Sequence, residues 1–465
     1  MYTENNISIY DFVRALSEAV DLISSDLKKH HKRVAYISCI LSQEINLSND
    51  EIHDIILAAM LHDIGAFSIE ERIDLWTYGS YDTDINQHDL FGYKLLKDFA
   101  PLAKIAALIR HHHTHYDKAL QDIPLGSYII HLADRLSVFL DDRSEVLQQV
   151  PTIRTQILQQ QGVFHPDLLT AFTRLANLES FWVEVDSPPL TAILAKRVQF
   201  SKEIIDLGTL RKFAKVFAQL IDFRCRFTAT HSSGVAAVAH ELSVIDKFSE
   251  RECKLMEIAG FLHDLGKLTV PNKILEKKGP LNDEEFNYIR KHTYYTYTIL
   301  RTINGLEHIA TWAAYHHERL DGNGYPFHVS GENFSKLARI MAVADIVTAL
   351  TEDRPYRLGM KREEAIKILL DMAEKNKIDK SVVEMVEENF SRINEMRIKA
   401  QQEALKEYEA FHTDTPVVKR KERTFSRYAM PAVEHANNLQ QRYCVSDIVS
   451  LSRRREREAR LACLN

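Results

Sequence analysis

The sequence predicts an all-α protein: two tandem helical domains of one kind, followed by a basic, partly disordered C-terminal tail. Three observations carry this expectation. Glycine and proline are scarce, 15 and 12 in 465 residues, which disfavours a strand-and-turn architecture. Apolar residues recur at helical spacing. One set of seven metal-ligand residues occurs twice, in nearly the same register.

The first helix is marked by Phe12, Leu16, Val20, Ile23 and Leu27, which fall on one helical face. An offset of 201 residues pairs Phe12 with Phe213, Asp21 with Asp222, and Val34-Ala35 with Val235-Ala236. Late in each copy a similar pattern returns, FHPDLLTAF from Phe164 and IDKSVVEMV from Ile378. Val383, Val386, Phe390 and Ile393 predict one amphipathic helix near the end of the second copy. Core packing accounts for all these stripes. Ser187-Pro188-Pro189 predicts the break between copies, because a proline pair stops a helix. The expected organisation is a first domain at 1–186, a linker at 187–204, a second domain at 205–410 and the tail at 411–465. From Lys419 to Asn465 the tail has 11 Lys/Arg and 5 Asp/Glu, including KRKER and SRRRERE. It reads as solvated chain, with an RNA, nucleotide or membrane-surface contact as the alternative.

Composition narrows the class. Apolar content is 45%, charged content 27% and net charge −6, which is ordinary for a soluble globular protein and gives no general pull toward nucleic acid. No apolar run reaches the ~18 residues that span a bilayer, and Met1 to Asn6 is polar, without a signal-peptide pattern. Cys39, Cys225, Cys253, Cys444 and Cys463 are scattered without CxxC spacing, so reduced thiols and a cytoplasmic setting are expected.

The repeated ligands are His30, His62, Asp63, His88, His112, His113 and Asp134 in the first half. In the second they are His231, His263, Asp264, His292, His316, His317 and Asp345. The gap from the first His to the next is 32 residues in both, and from the middle His to the His pair 24 in both. Asp345 lies in the apolar run RIMAVADIVTAL, where an unpaired carboxylate is costly to bury and a cation would explain its presence. Five imidazoles and two carboxylates exceed one tetrahedral zinc. They suit two divalent ions sharing a bridging carboxylate, and nitrogen/oxygen ligation without thiolate fits iron, manganese, cobalt or nickel. Such a pair acidifies a water and polarises a phosphoryl oxygen, the chemistry of phosphate-ester hydrolysis.

Only the second copy carries further candidates. Asp264 and Lys267 are the candidate catalytic residues, with Lys267 placed to neutralise a non-bridging phosphate oxygen. The segment HHERLDGNGYP, His316 to Pro326, joins two ligands to a turn containing Gly322, Gly324 and Tyr325. It reads as a substrate-shaping loop with an aromatic ring that could stack on a base. Arg354 and Arg357 follow Asp345 in DRPYR as candidate phosphate clamps.

From about Asp222 to Arg357 the chain resembles the HD-GYP family, a branch of the HD superfamily of metal-dependent phosphohydrolases. The resemblance rests on His231-Ser232, HDLGK, His292, the unbroken HHERLDGNGYP and ADIVTALTEDRPYR. It implies an all-helical fold, a centre of two or three metals, often iron or manganese, and hydrolysis of a cyclic dinucleotide, chiefly cyclic di-GMP. It further implies that Lys267, Tyr325, Arg354 and Arg357 contact substrate, and Gly324 of the substrate-shaping loop is a candidate beside them. Trinuclear members have a Glu where this chain has Phe227, so two metals are expected in this domain. Many members have Asp where this chain has Cys225 and Thr348. A carboxylate accepts hydrogen bonds from a guanine edge and these residues do so poorly, which leaves 3′,3′-cyclic GMP-AMP open as substrate beside cyclic di-GMP.

The first half resembles a plain HD domain. Ala66 stands at the Lys267 position, Arg143 at Arg354 and Val146 at Arg357, and the gap from the His pair to Asp134 is 21 residues against 28, too short for the GYP loop. A further metal is expected there. Three readings stay open: a phosphomonoesterase or 5′-nucleotidase acting on the linear product, a regulatory or dimerising domain, or an inert one. His111 and His115 receive no role. A general nucleotide phosphohydrolase and a non-catalytic cyclic-dinucleotide receptor or adaptor are the competing functions. Signalling proteins and a second copy of the chain stand as candidate partners.

Overall fold

The computed structural model describes residues 7–21, 29–66, 88–119, 122–160, 162–198, 205–223, 229–275, 277, 279–353 and 358–413. Arg354, Arg357, Cys225, Phe227, Ile23, Leu27 and the basic run from Lys419 lie outside the described residues.

Among the described residues the elements are α-helices and short 3-10 turns. The first half holds α1 (Ile9–Asp21), α2 (His30–Glu44), α3 (Asn49–Leu61), α4 (His88–Leu96), α5 (Ala103–Arg110) and α6 (Leu125–Phe139). It continues through α7 (Val146–Leu158), α8 (Pro166–Leu175), α9 (Glu179–Val185) and α10 (Leu190–Arg197). The second half holds α11 (Leu207–Asp222), α12 (His231–Ile245), α13 (Glu250–Leu262), α14 (Asn272–Leu275), α15 (Asp283–Arg301) and α16 (Glu307–Ala314). It ends with α17 (Lys336–Thr351), α18 (Arg362–Glu374), α19 (Lys380–Glu388) and α20 (Phe390–Thr413).

The repeat extends to the backbone signals that aim the ligands. Ser48 and Glu51 form a capping box at the start of α3, and Ser249 and Glu252 form the same box at the start of α13. Each box is worth ~1 kcal/mol and sets where a helix begins. Both helices are 13 residues long, so both run out at the His of a His-Asp pair. Just upstream the chain turns back through Asn46 (φ 60°) and Lys247 (φ 62°), again at matched positions. The left-handed residue after each helix releases the chain from it.

α2 packs on α3 and α6, and α12 packs on α13, α17 and α20. The first helix of each half also crosses to the other half. α1 packs on its own α3 and on α15 and the turn Leu265–Thr269 opposite. α11 packs on its own α13 and on α4 opposite. Phe12 stacks on Phe217 with ring centroids 4.6 Å apart, and Phe99 meets Phe213 edge-on at 4.4 Å. These rings are buried, each worth roughly 1.5–3 kcal/mol of apolar transfer. Arg14 donates to the Thr302 carbonyl at 2.8 Å and Ile205 N to the Ile7 carbonyl at 3.0 Å.

Two expectations about elements need correcting. The linker expected at 187–204 contains α10, whose Leu190 and Leu194 are buried; the proline pair separates α9 from α10 and then starts the new helix, where a missing N–H costs nothing. The single helix expected through Val383 and Ile393 is two, α19 and α20, because Asn389 leaves helical geometry (φ −114°, ψ 18°). All four apolar residues of that stripe are nonetheless buried. Among the described residues no helix is long and apolar enough to cross a membrane, and Cys39 and Cys253 are buried free thiols.

Candidate functional site

His263 caps the C-terminal end of α13, and Asp264 opens the turn Leu265–Thr269. That turn lies against α15 because residue 266 has no side chain. A Cβ on Gly266 would sit 1.9 Å from the His292 carbonyl oxygen, and one on Gly65 would sit 2.1 Å from that of His88. The Thr296 hydroxyl pins the join, donating to the His263 carbonyl at 3.0 Å and accepting from Gly266 N at 2.9 Å.

Asp264 therefore faces two ways. Its Oδ2 lies 3.2 Å from His263 Nε2, while its Oδ1 lies 3.4 Å from His292 Nε2 and 3.8 Å from His316 Nε2. Asp345 spans the same gap, with Oδ1 3.2 Å from His231 Nε2 and Oδ2 3.9 Å from His317 Nδ1. His231, His263 and Asp264 form one group of close ligand atoms, and His292, His316 and His317 a second. The first half repeats this. Asp63 Oδ2 lies 3.3 Å from His62 Nε2 and Oδ1 3.3 Å from His88 Nε2, and His30 Nε2 lies 3.3 Å from Asp134 Oδ1. Its groups are His30, His62 and Asp134, and Asp63, His88, His112 and His113. All seven sequence-named residues thus come together in each half.

The rings are oriented before any ion arrives. His62, His112, His263, His292 and His316 each place Nδ1 2.6–2.8 Å from the carbonyl three residues back. A carbonyl only accepts, so Nδ1 carries a hydrogen and Nε2 is the nitrogen turned inward as the ligand atom. Burial pushes His292 down to about 3 and His317 to about 4, and holds His112, His113 and His316 well below the ordinary imidazole range. These rings are neutral ligands at pH 7. Burial also pushes His231 and His62 down, but nearby carboxylates outweigh it. Glu352 and Asp345 bring His231 up to about 10, and Asp63 brings His62 up to about 9. Burial pushes Asp63, Asp134, Asp264 and Asp345 upward, yet the histidines around them, with Arg135 at Asp134 and Lys267 at Asp264, hold all four below the usual carboxylate range.

Several buried atoms have no hydrogen-bond partner: His263 Nε2, Asp264 Oδ1, His88 Nδ1 and His113 Nδ1. Leaving such a group unsatisfied costs ~1–3 kcal/mol. A divalent cation would satisfy His263 Nε2 and Asp264 Oδ1, and in the N-terminal cluster it would sit among the Nε2 atoms of His88, His112 and His113, which face one another at 2.9–3.2 Å, so both clusters fit metal.

The residues around the second cluster are placed as follows. Lys267 donates to Asp264 Oδ2 at 2.6 Å. Tyr325 is buried, its ring 5.0 Å from that of His317 and 5.4 Å below the Arg290 guanidinium, and its hydroxyl has no partner. The ring face expected to stack on a base is thus already covered, and the free group is the hydroxyl. Gly324 lets the loop close on itself, since a Cβ would lie 2.5 Å from Glu318 Cα. In the first half Ala66 is buried, Arg143 is exposed and paired with Asp141 at 2.9 Å, and Val146 opens α7.

Four residues escaped the sequence reading. Glu318, buried directly after the His pair, accepts from Phe327 N at 2.7 Å and Val329 N at 3.0 Å and so holds the GYP loop. Glu352 stands 3.1 Å behind His231 Nδ1. Arg135 donates to Asp134 at 2.7 Å. His31 lies close to His62 and Asp63. Adjacency to a named ligand or motif was the only available signal, since His31 follows His30, Arg135 follows Asp134 and Glu352 opens EDRPYR.

The HD-domain family matches the chain twice, over residues 27–138 and over residues 215–382. This chain belongs to the HD-domain family. Its C-terminal HD domain, with HDLGK and HHERLDGNGYP, is of the HD-GYP kind, and its N-terminal HD domain lacks the GYP loop. A 3'3'-cGAMP-specific phosphodiesterase of Vibrio cholerae is 28% identical over 410 residues, covering 85% of this chain and 95% of that one. A cyclic di-GMP phosphodiesterase of Pseudomonas aeruginosa is 39% identical over 144 residues, covering 30% of this chain and 34% of that one. The crystal structure of a cyclic GMP-AMP-specific phosphodiesterase of V. cholerae shares the fold, with a TM-score of 0.56 at 22% identity over 85% of this chain and 97% of that one.

Proposed function

We propose that the protein is a metal-dependent phosphodiesterase that opens a cyclic dinucleotide, 3′,3′-cyclic GMP-AMP or cyclic di-GMP, in its C-terminal HD domain. The observation that carries this reading is Asp264. Its two oxygens turn toward separate histidine groups while Lys267 stands on one of them. In this reading His231, His263, Asp264 and Asp345 hold one ion and Asp264, His292, His316 and His317 a second, iron or manganese by donor type. When bound, the pair supplies an acidified water and polarises a phosphoryl oxygen.

The chain's own residues do the rest. Lys267 leaves Asp264 to meet the charge that grows on a non-bridging phosphate oxygen, which is worth most in a buried site. The loop held by Glu318 presents the Tyr325 hydroxyl to the substrate, with Gly324 allowing the close turn. Arg354 and Arg357 clamp the phosphates. Thr348 supports the mixed substrate: it is fully buried and its hydroxyl donates to the Ala344 carbonyl at 2.8 Å, so this position offers no carboxylate to a guanine edge. The extended similarity to a 3'3'-cGAMP-specific phosphodiesterase favours the same choice.

For the N-terminal HD domain we propose a second metal centre that removes phosphate from the linear product. It has its own shared carboxylate, Asp63, but no Lys and no GYP loop to hold a cyclic dinucleotide. The test is a product assay on purified full-length protein against a panel of cyclic dinucleotides, with metal measured on the same sample. Asp264→Ala should leave the cyclic substrate intact. Asp63→Ala should cleave it but accumulate the linear 5′-phosphorylated dinucleotide. Full cyclic turnover in Asp264→Ala would overturn the first assignment, and unchanged phosphate release in Asp63→Ala the second.

A further inference from the structure

The N-terminal centre contains a histidine that the C-terminal centre does not. His31 follows His30 at the start of α2, and its match 201 residues on is Ser232. Adjacent residues on a helix diverge by about 100°. Both imidazoles nevertheless reach one place: the His30 and His31 rings are 5.3 Å apart, and each lies 5.1 Å from the His62 ring. A ligand atom of His31 lies within 4.8 Å of ligand atoms on His62 and Asp63.

His31 is 1% exposed, so both ring nitrogens need partners. Only one has one. Nδ1 lies 2.5 Å from Asp21 Oδ1, whereas Nε2 is buried with none. A packing histidine gains nothing from that arrangement. A ligand does: a carboxylate on one nitrogen fixes the ring and leaves the other as a lone pair for a cation. Asp21 is the last residue of α1 and is itself buried. Its match in the other half, Asp222, is committed differently, accepting from Ser232 Oγ at 3.0 Å and Ser232 N at 3.2 Å. The same carboxylate thus holds an imidazole at one centre and the hydroxyl and backbone N–H of Ser232 at the other.

We propose that His31 is a metal ligand of the N-terminal HD domain, bound through Nε2 and oriented by Asp21. The ion held there by His30, His62, Asp63 and Asp134 then has a fifth protein ligand. This inference rests on the reading that the N-terminal centre binds metal. Its consequence is a division inside that centre. The ion beside His31 keeps fewer positions for water or substrate than its counterpart beside Ser232, and is held more firmly.

The experiment uses the full-length chain carrying His263→Ala and Asp264→Ala, so that only the N-terminal centre is loaded. The protein is loaded with Mn2+ or Co2+ and dialysed against graded chelator. Metal per chain and thermal unfolding are then read with and without the ion. His31→Ser installs the residue that the second half pairs with its own Asp, and His31→Gln keeps a donor for Asp21. Both are expected to weaken metal retention at least about tenfold and to shrink the metal-induced rise in Tm. Asp63→Ala is the control for the centre as a whole. If Asp63→Ala loses metal while both His31 variants hold it as tightly as the parent, with the same rise in Tm, the inference is overturned and the centre stands. If Asp63→Ala also keeps its metal, the metal-centre reading fails and the inference with it.

Discussion

Asp134 and Asp345 hold matching places in the two HD domains, and their surroundings differ. In the N-terminal domain the buried Arg135 donates to Asp134 Oδ2 at 2.7 Å, committing half of that carboxylate to a fixed cation. At the C-terminal position the next residue is Ile346, and the two oxygens of Asp345 meet His231 at 3.2 Å and His317 at 3.9 Å. The C-terminal cation stands elsewhere. Lys267 sits on Asp264 with its side chain 22% exposed, where the first half has the buried Ala66. The layer behind the first histidine differs as well: Ser137 Oγ is 3.0 Å from His30 Nδ1, but Glu352 is 3.1 Å from His231 Nδ1. Equal ligand sets therefore do not imply equal chemistry. A buried guanidinium offsets the negative charge of a ligand carboxylate but cannot reach outward. A partly exposed ammonium on a four-carbon stem can move from a carboxylate to a phosphate.

The comparison is broken most severely at the shared carboxylate. Asp264→Ala should cut cyclic-dinucleotide turnover by at least about a thousandfold, with loss of metal, while Asp63→Ala spares that step. Equal losses in both would mean that the two centres act as one. Lys267→Ala comes next. Turnover should fall by about 10²–10³ with metal content unchanged, as for removal of one group that stabilises transition-state charge. A change in metal content instead would make Lys267 a support for Asp264 and not a phosphate contact.

The pH dependence is alike at the two centres up to about pH 9 and separates them only above it. His231 titrates at about 10 and His62 at about 9 in the metal-free fold, against about 6.5 unfolded. The fold binds the extra proton between those values. The resulting stabilisation of the metal-free fold is complete below about 6.5, and it is lost as pH rises through about 9 for His62 and about 10 for His231. Metal must displace that proton, so its affinity runs the other way, gaining about tenfold per pH unit for each proton released. About a hundredfold tighter binding at pH 8 than at pH 6 is expected at the C-terminal centre, read by calorimetry in buffers of different ionisation enthalpy. A flat profile there would mean that His231 is neutral before metal arrives. The smallest effect is expected for Glu352→Gln, which removes the charge behind His231. It should weaken metal binding by about tenfold at the C-terminal centre, against less for Ser137→Ala at the other, read by metal retention.

Much of this was legible in the order of residues. Ligand types and their spacings are properties of the chain, as is the stripe through Phe12, Leu16 and Val20, so both ligand sets and α1 could be named before any fold. The split at Asn389 was not legible, because Val383 and Ile393 hold helical spacing across it and only the local backbone breaks. Tyr325 could be placed on the loop, yet the Arg290 that covers its ring comes from α15, 35 residues earlier.

By itself the sequence determined that there are two centres, which residue types compose them, and that one alone carries Lys267 and the GYP loop. Only the tertiary structure decided how those groups are divided. It turned the two oxygens of Asp264 toward different histidines, set Glu352 behind His231 across 121 residues, and brought His31 beside His62 while Ser232 turned to Asp222. The physical reason is that ligand identity is written locally, in residue type and spacing. Which lone pair faces which neighbour depends on how separate helices pack, and that is settled only when α1, α2, α3 and α6, or their counterparts, close around a common core.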